Sequence, residues 1–200
     1  MPFSTLLLAT HNNDKTTEIR EVLQHLKLKI ISANDLPQPI EIIEDRETLA
    51  GNAEKKAKIL AAKSGLPTLA DDTGLMVDAL NGEPGVYSSR FAGENASYAD
   101  NVNKLLQQMQ GIPENLRTAR FKCVMALCYN NKVEFLEGVC EGIITNQQIG
   151  EQGFGYDPVF YVPKLGKTFA EMTLDEKNEI SHRGIALAKV KTRLQQLLHE

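Results

Sequence analysis

Two adjacent carboxylates, Asp71 and Asp72, are followed by Thr73-Gly74 and then by an apolar run over residues 75–80. Like charges side by side repel, and apolar surroundings raise the cost of keeping either ionised. A carboxylate delivered by a strand end can hold Mg²⁺ or orient a water. A solvated Asp-Thr-Gly turn is the competing reading, since all three residues are turn formers. Alternation along a strand sends neighbours to opposite faces, so one of the two points into a given site.

A second segment runs Thr10-His11-Asn12-Asn13-Asp14-Lys15. It lies between an expected strand at residues 5–9 and an expected helix at about 14–26. Such a turn sets backbone N–H groups and a positive helix end at one point, which suits phosphate. Thr10, Asn12 and Lys15 add a hydroxyl, an amide and a charge. The glycines of a Walker loop are missing, and a plain helix cap is the alternative.

The third is "GFGYDPVF" at residues 153–160. Glycines flank Phe154, and Gly155 is followed by Tyr156-Asp157-Pro158. This describes a rigid loop exposing an aromatic, suited to stacking on a flat ring. An ordinary Gly-Pro turn with a core aromatic is the other possibility. The fourth is "DEKNEISHRG" at residues 175–184. Ser181 can cap a last helix, with Lys177 upstream and His182 and Arg183 in the first turn. Positive charge is disfavoured there unless an anion or carbonyl compensates; a simple capping segment is the alternative. Each signal is weak alone. Together, two phosphate-suited segments, an acidic pair, an exposed aromatic and a donor cluster describe a nucleoside phosphate site.

The elements needed to position these groups follow from periodicity. Ile19, Val22, Leu23 and Leu26 mark the first helix, and residues 28–32 a second strand, so the chain opens β-α-β. Residues 34–45, with two prolines, read as an extended loop. Residues 48–64 read as a helix ended by Gly65, with residues 67–70 as a short strand delivering the acidic pair. Another amphipathic helix covers 97–109. Residues 117–129 and 132–145 read as long strands joined by Asn130-Asn131, a hairpin signal. The final helix spans 183–199. The whole reads as one α/β unit with a mixed sheet.

Composition bounds the rest. The chain has 200 residues, 42% hydrophobic and 24% charged, a globular soluble balance with room for one domain or one domain of two lobes. The net charge of −4 argues against a broad nucleic-acid surface. No apolar run approaches the roughly 20 residues needed to span a bilayer. The N-terminal stretch lacks a signal-peptide pattern, so a cytoplasmic protein is expected. Cys123, Cys128 and Cys140 lie in apolar segments and read as small buried hydrophobes of a reducing compartment.

The sequence resembles the inosine/xanthosine triphosphate pyrophosphatase family nearly end to end. The matching blocks are T-x-N-x-x-K at residues 10–15, "NAEKKA" at 52–57, "ADDTGLMVDALNGEPGVYSSRFAG", "FGYDPVF" and "SHRG". The resemblance implies Mg²⁺-dependent hydrolysis of ITP, dITP or XTP to the monophosphate and pyrophosphate, which cleanses the nucleotide pool. It implies an elongated mixed sheet flanked by helices, two lobes in one domain over residues 1–200, a site in the cleft between the lobes, and a homodimer.

By the same resemblance Asp72 is the general base and a metal ligand, with Glu44 the second metal carboxylate. Thr10, His11, Asn12, Asn13, Asp14, Lys15, Lys56 and Thr73 contact the substrate, chiefly its phosphates. Phe154, Gly155, Tyr156, Asp157, Lys177, His182 and Arg183 hold base and sugar, with His182 or Arg183 rewarding a 6-oxo group. Two departures stand out. The family's E-N-A reads Gly51-Asn52-Ala53 here, and Gly51 weakens the helix by roughly 1 kcal/mol relative to Ala. The family's E-T-G reads Glu44-Asp45-Arg46, leaving Asp45 or Glu47 as alternatives to Glu44. A pyrophosphatase for pyrimidine or other modified nucleotides, and a non-catalytic purine nucleotide sensor, are the rival functions.

Overall fold

The structure is a computed structural model describing residues 3–38 and 40–199. Pro39, one of the two prolines of the expected loop, lies outside the described residues. The strands are β1 (Thr5–Leu8), β2 (Lys29–Ser32), β3 (Thr68–Val77), β4 (Pro84–Gly85), β5 (Thr118–Tyr129), β6 (Lys132–Ile144), β7 (Phe160–Val162) and β8 (Lys167–Thr168). The helices are α1 (Asn13–Leu23), α2 (Leu49–Ser64), α3 (Tyr98–Gln108), α4 (Leu174–Ile180) and α5 (His182–His199). One mixed sheet carries the strands in the order β2-β1-β3-β5-β6-β7-β8, with β4 paired to β3.

The chain divides into two compact units. The first takes the chain up to Asp72, Cys123–Gly138, and the chain from Arg183 on; the second takes Thr73–Lys122 and Val139–His182.

In the first unit β1 pairs in parallel with β2, Thr5 opposite Lys29, and with β3, Leu7 opposite Thr68. Alternation along the strands sorts their side chains. Leu6, Leu8, Leu69, Cys123, Met125 and Leu127 pack with Ile19 and Leu23 of α1 and with Leu187, Val190 and Leu194 of α5. Leu7, Ala9, Ala70, Ala126 and Cys128 pack with Ala53, Ala57 and Leu60 of α2. A strand with helices on both sides buries both its faces, which is why β1 and the start of β3 read as continuous apolar runs. Thr48 caps α2 by accepting from the Gly51 N–H, and Gly65 ends it in the left-handed region at φ 69°.

In the second unit β3 continues into an antiparallel pairing with β4, Leu75 opposite Gly85. Strand β7 joins β6 on one side and β8 on the other. The core gathers Leu75, Val77, Leu105, Met109, Phe121, Phe160 and Phe169. Arg117, only 2% exposed, sends its guanidinium to the carbonyls of Met109, Ile112, Ile144 and Thr145. These bonds satisfy the end of α3 and the end of β6 with one side chain.

Two expectations are corrected. The strand expected at residues 67–70 is ten residues long, so Asp72-Thr73-Gly74 is extended chain and not a turn. The neighbouring strands supply ladder partners that override the turn preference of those residues. The segment before Ser181, where no element is read from the sequence, is the helix α4, opened by a capping box between Thr173 and Glu176, and Ser181, read as the cap of the last helix, stands at the C-terminal cap of α4. The Asn130-Asn131 turn stands as expected, with φ of 48° and 60°.

Candidate active site

The acidic pair is the centre of the first unit. Asp71 is 2% exposed and Asp72 5%. Because they are neighbours in one strand, they face different helices. Asp71 follows Leu69 to the side of α1 and α5, where its Oδ2 lies 2.9 Å from Lys15 Nζ and 3.3 Å from Arg183 Nη2. Asp72 follows Ala70 to the side of α2, where Asn52 Nδ2 donates to its Oδ2 at 3.1 Å. Lys56 Nζ is 3.8 Å from Asp72 Oδ1. One strand thus feeds two separate ionic clusters.

The Asp71 cluster is closed by Glu18, which accepts from Arg183 Nη1 at 2.7 Å. Burial pushes the Asp71 carboxyl up, but Lys15 and Arg183 more than reverse it and hold it well below the usual carboxylate range. Burial likewise opposes the Arg183 charge, and Glu18 and Asp71 overcome that.

The Asp72 cluster is organised by Lys56, whose ammonium donates to Glu44 Oε1 and to the Asp71 carbonyl, both at 2.6 Å. Burial works against that charge, but Asp72, Glu44 and Asp71 raise the lysine above its ordinary range. The same burial raises Asp72, helped by the Glu44 charge and opposed by Lys56. Burial also pushes Glu44 up, but Lys56 reverses it and leaves that carboxyl low. Of the alternatives to Glu44, Asp45 accepts from Lys55 Nζ at 2.7 Å on the outer side of the loop.

Glu44 and Asp72 supply hard oxygen donors that meet at one ammonium. Among the described residues no group of three or more His, Cys, Asp or Glu gathers as a metal cage. Two carboxylates are what Mg²⁺ takes when phosphate and water complete its shell. The donor set fits that ion.

The segment of residues 10–15 is held locally. Asn12 caps α1, its side-chain oxygen accepting from the Asp14 and Lys15 N–H groups at 2.8 and 3.1 Å. Thr10 Oγ1 accepts from the Asn12 N–H. The His11 ring lies 2.7 Å from Asn34 Oδ1 and 3.2 Å from the Ile40 carbonyl. Asn34 also donates to the His11 carbonyl and to Asn13 Oδ1. The cap uses two of the N–H groups that a phosphate would seek, so positive charge here comes from Lys15.

The second unit gathers its own set. Asp157, buried, accepts at one oxygen from the Phe154 N–H at 2.8 Å and from Lys177 Nζ at 2.6 Å. A Cβ at Gly153, where φ is 75°, would fall 2.1 Å from that same oxygen, so the turn demands glycine. Lys177 Nζ stands 4.8 Å over the half-buried Phe154 ring, and the Tyr98 ring lies 5.8 Å from it. Tyr156 is buried and donates to the Ser88 carbonyl. His182 is 3% exposed and stacks on Phe121, centroids 4.5 Å apart and planes 15° from parallel. Thr73 is half-buried in β3.

Of the residues expected at the site, Lys15 and Arg183 gather on Asp71 and Glu44 and Lys56 beside Asp72 in the first unit, and Phe154, Asp157 and Lys177 come together in the second. Sequence reasoning assigned no role to Asn52, Asn34 or Glu18. Asn52 lay inside a matching block, and an amide at a core-facing helix position is the signal that points to it. Nothing local marks Glu18, which is 165 residues from its partner.

An α/β protein with a mixed sheet, carrying adjacent acids on one strand that face lysines of two different helices, is the class defined by this fold and this cluster. The chain belongs to the Ham1 family, whose model matches residues 6–193. It is 49% identical over 185 residues to a dITP/XTP pyrophosphatase of Desulforamulus reducens, covering 92% of each chain. It is 48% identical over 195 residues to one of Thermoanaerobacter, covering 98% of each. Among solved structures it is similar to a HAM1 protein from Coxiella burnetii, with a TM-score of 0.88 and 42% identity over 97% of this chain and 100% of that one. Among the described residues no helix is long and apolar enough to cross a membrane.

Proposed function

We propose that this chain hydrolyses non-standard purine nucleoside triphosphates, ITP, dITP and XTP, to the monophosphate and pyrophosphate. The dITP/XTP pyrophosphatases that it matches at 44–49% identity support this reading. The observation that carries it is the buried Asp72, held by Asn52 and raised in pKa, with Lys56 and Glu44 beside it.

Asp72 is assigned the proton of the attacking water. Burial brings its basicity nearer the working pH, which favours a general base. Lys15 and Lys56 are assigned the charge of the phosphates and of the departing pyrophosphate. Glu44 and Asp72 would hold Mg²⁺, which supplies charge neutralisation and polarisation at the reacting phosphorus. The base is assigned to Phe154, with Lys177 and Asp157 as donor and acceptor at its edge, and His182 nearby. A buried polar edge rejects the wrong base because it leaves groups unpaired. Arg183 is already engaged by Glu18 and Asp71, so it is assigned to holding Asp71 in place. The remaining proposals are that both units act as one domain, that the protein works as a homodimer, and that it resides in the cytoplasm.

A panel of nucleoside triphosphates with pyrophosphate detection tests the reading. ITP, dITP and XTP are expected to be cleaved in preference to ATP, GTP and pyrimidine nucleotides, and Asp72→Asn to fold and lose turnover. Preference for a pyrimidine would favour the first rival; binding without turnover would favour a sensor. Near-normal ITP hydrolysis by Asp72→Asn would remove Asp72 from the base role.

A further inference from the structure

Asn52 is 0% exposed in the second turn of α2, a position where asparagine is a poor helix former and where its amide cannot reach water. Both ends of that amide are used. Nδ2 donates to Asp72 Oδ2 at 3.1 Å, and Oδ1 accepts from the Arg46 N–H at 2.9 Å. A carboxylate only accepts and a backbone N–H only donates, so these partners specify which way the amide points. No other side chain of this size offers a donor at one end and an acceptor at the other. Aspartate has no donor, and leucine has neither.

The Arg46 N–H lies two residues beyond Glu44. One helical turn along the same face, Lys56 grips Glu44 itself at 2.6 Å. Residues 52 and 56, spaced i and i+4, therefore span from the strand that carries Asp72 to the loop that carries Glu44. Lys56 does so through charge. Asn52 does so through two directional bonds, which set an angle as well as a distance.

We propose that Asn52 is the positioning residue of the acidic pair, aiming the Asp72 carboxylate and fixing its separation from the Glu44 loop. This rests on Glu44 and Asp72 acting as the metal-holding pair. Partners behind metal ligands orient them, and their loss costs roughly 10–100-fold in metal affinity or activity.

The test uses Asn52→Leu and Asn52→Asp in the full chain. Three readouts are thermal unfolding, kcat and KM for ITP, and Mn²⁺ binding followed by electron paramagnetic resonance without nucleotide. Asn52→Leu is expected to unfold cooperatively, to lose at least about tenfold in kcat with KM changed far less, and to bind Mn²⁺ about tenfold more weakly. Asn52→Asp keeps the Arg46 bond but turns a carboxylate on Asp72, so its kcat falls too; if the leucine variant does not fold, it decides the question. A purely packing role would lower the unfolding midpoint and leave kcat of the folded fraction unchanged. Wild-type kcat and Mn²⁺ affinity in either folded variant overturns the proposal. Wild-type protein that binds no Mn²⁺ with or without added pyrophosphate, or Asp72→Asn with full turnover, would instead strike the metal-pair reading and the proposal together.

Discussion

Lys56 places its ammonium 2.6 Å from Glu44 Oε1, joining helix α2 to the loop before it through a half-buried contact. The same ammonium lies 3.8 Å from Asp72. Two acids that would repel each other are thereby held together in the protein by itself, before any other cation arrives.

Replacing Lys56 with methionine keeps the aliphatic stem and removes the charge. The half-buried Glu44 and the buried Asp72 are then left as neighbouring acids. Losing one partner of a buried pair costs about 3 kcal/mol, and turnover of ITP is expected to fall about 100-fold with the lost phosphate charge. Urea unfolding together with pyrophosphate release checks both. Unaltered stability would mean that the acids are solvated.

Asp71 gives a pH signature with a definite sign. Its folded pKa lies below the unfolded value, so it stabilises the protein at neutral pH and loses that contribution as pH falls below about 4 toward the folded value. Asp71→Asn removes the contribution at all pH values. The stability gap between wild type and Asp71→Asn, measured by denaturant titration, is therefore expected to be widest at neutral pH and to narrow in acid. A gap that widens in acid would contradict the ion-pair assignment to Lys15 and Arg183.

Lys177→Ala should raise KM for ITP about tenfold, the worth of one charged hydrogen bond, if this ammonium faces the base. It also leaves Asp157 buried beside the Phe154 N–H without its cation, so the unfolding midpoint should drop. Steady-state kinetics and a thermal melt separate the two effects. A lower midpoint with unchanged KM would confine Lys177 to shaping the loop.

Much of this arrangement was legible in the sequence because it follows from local rules. Alternation placed Asp71 and Asp72 on opposite faces, a start at residue 48 and a stop at Gly65 bounded α2, and Asn130-Asn131 marked the hairpin. The length of β3 was hidden because Asp, Thr and Gly prefer turns until neighbouring strands offer ladder partners. Helix α4 was hidden by its seven residues, although its Thr173-x-x-Glu176 box was on view. The pairing of Arg183 with Glu18, and of Asn52 with Asp72, joins distant segments, and no local pattern encodes such pairs.

The two departures of this chain from its family's pattern meet in space. A Cβ at Gly51 would lie 3.0 Å from Arg46 Cβ and 3.0 Å from Thr48 Oγ1, so the helix is bare where the loop is bulky. Glycine at 51 against a side chain at 46 is one packing solution, and the pattern that the resemblance implies, a side chain at 51 against glycine at 46, is its mirror form. Gly51→Glu alone is expected to be less favourable than in an Arg46→Gly background, with a coupling of about 1 kcal/mol in a double-mutant cycle. The helix-propensity gain is common to both backgrounds and cancels. Side chains at both positions are crowded by a few tenths of an ångström, so what one site tolerates is set by what the other carries.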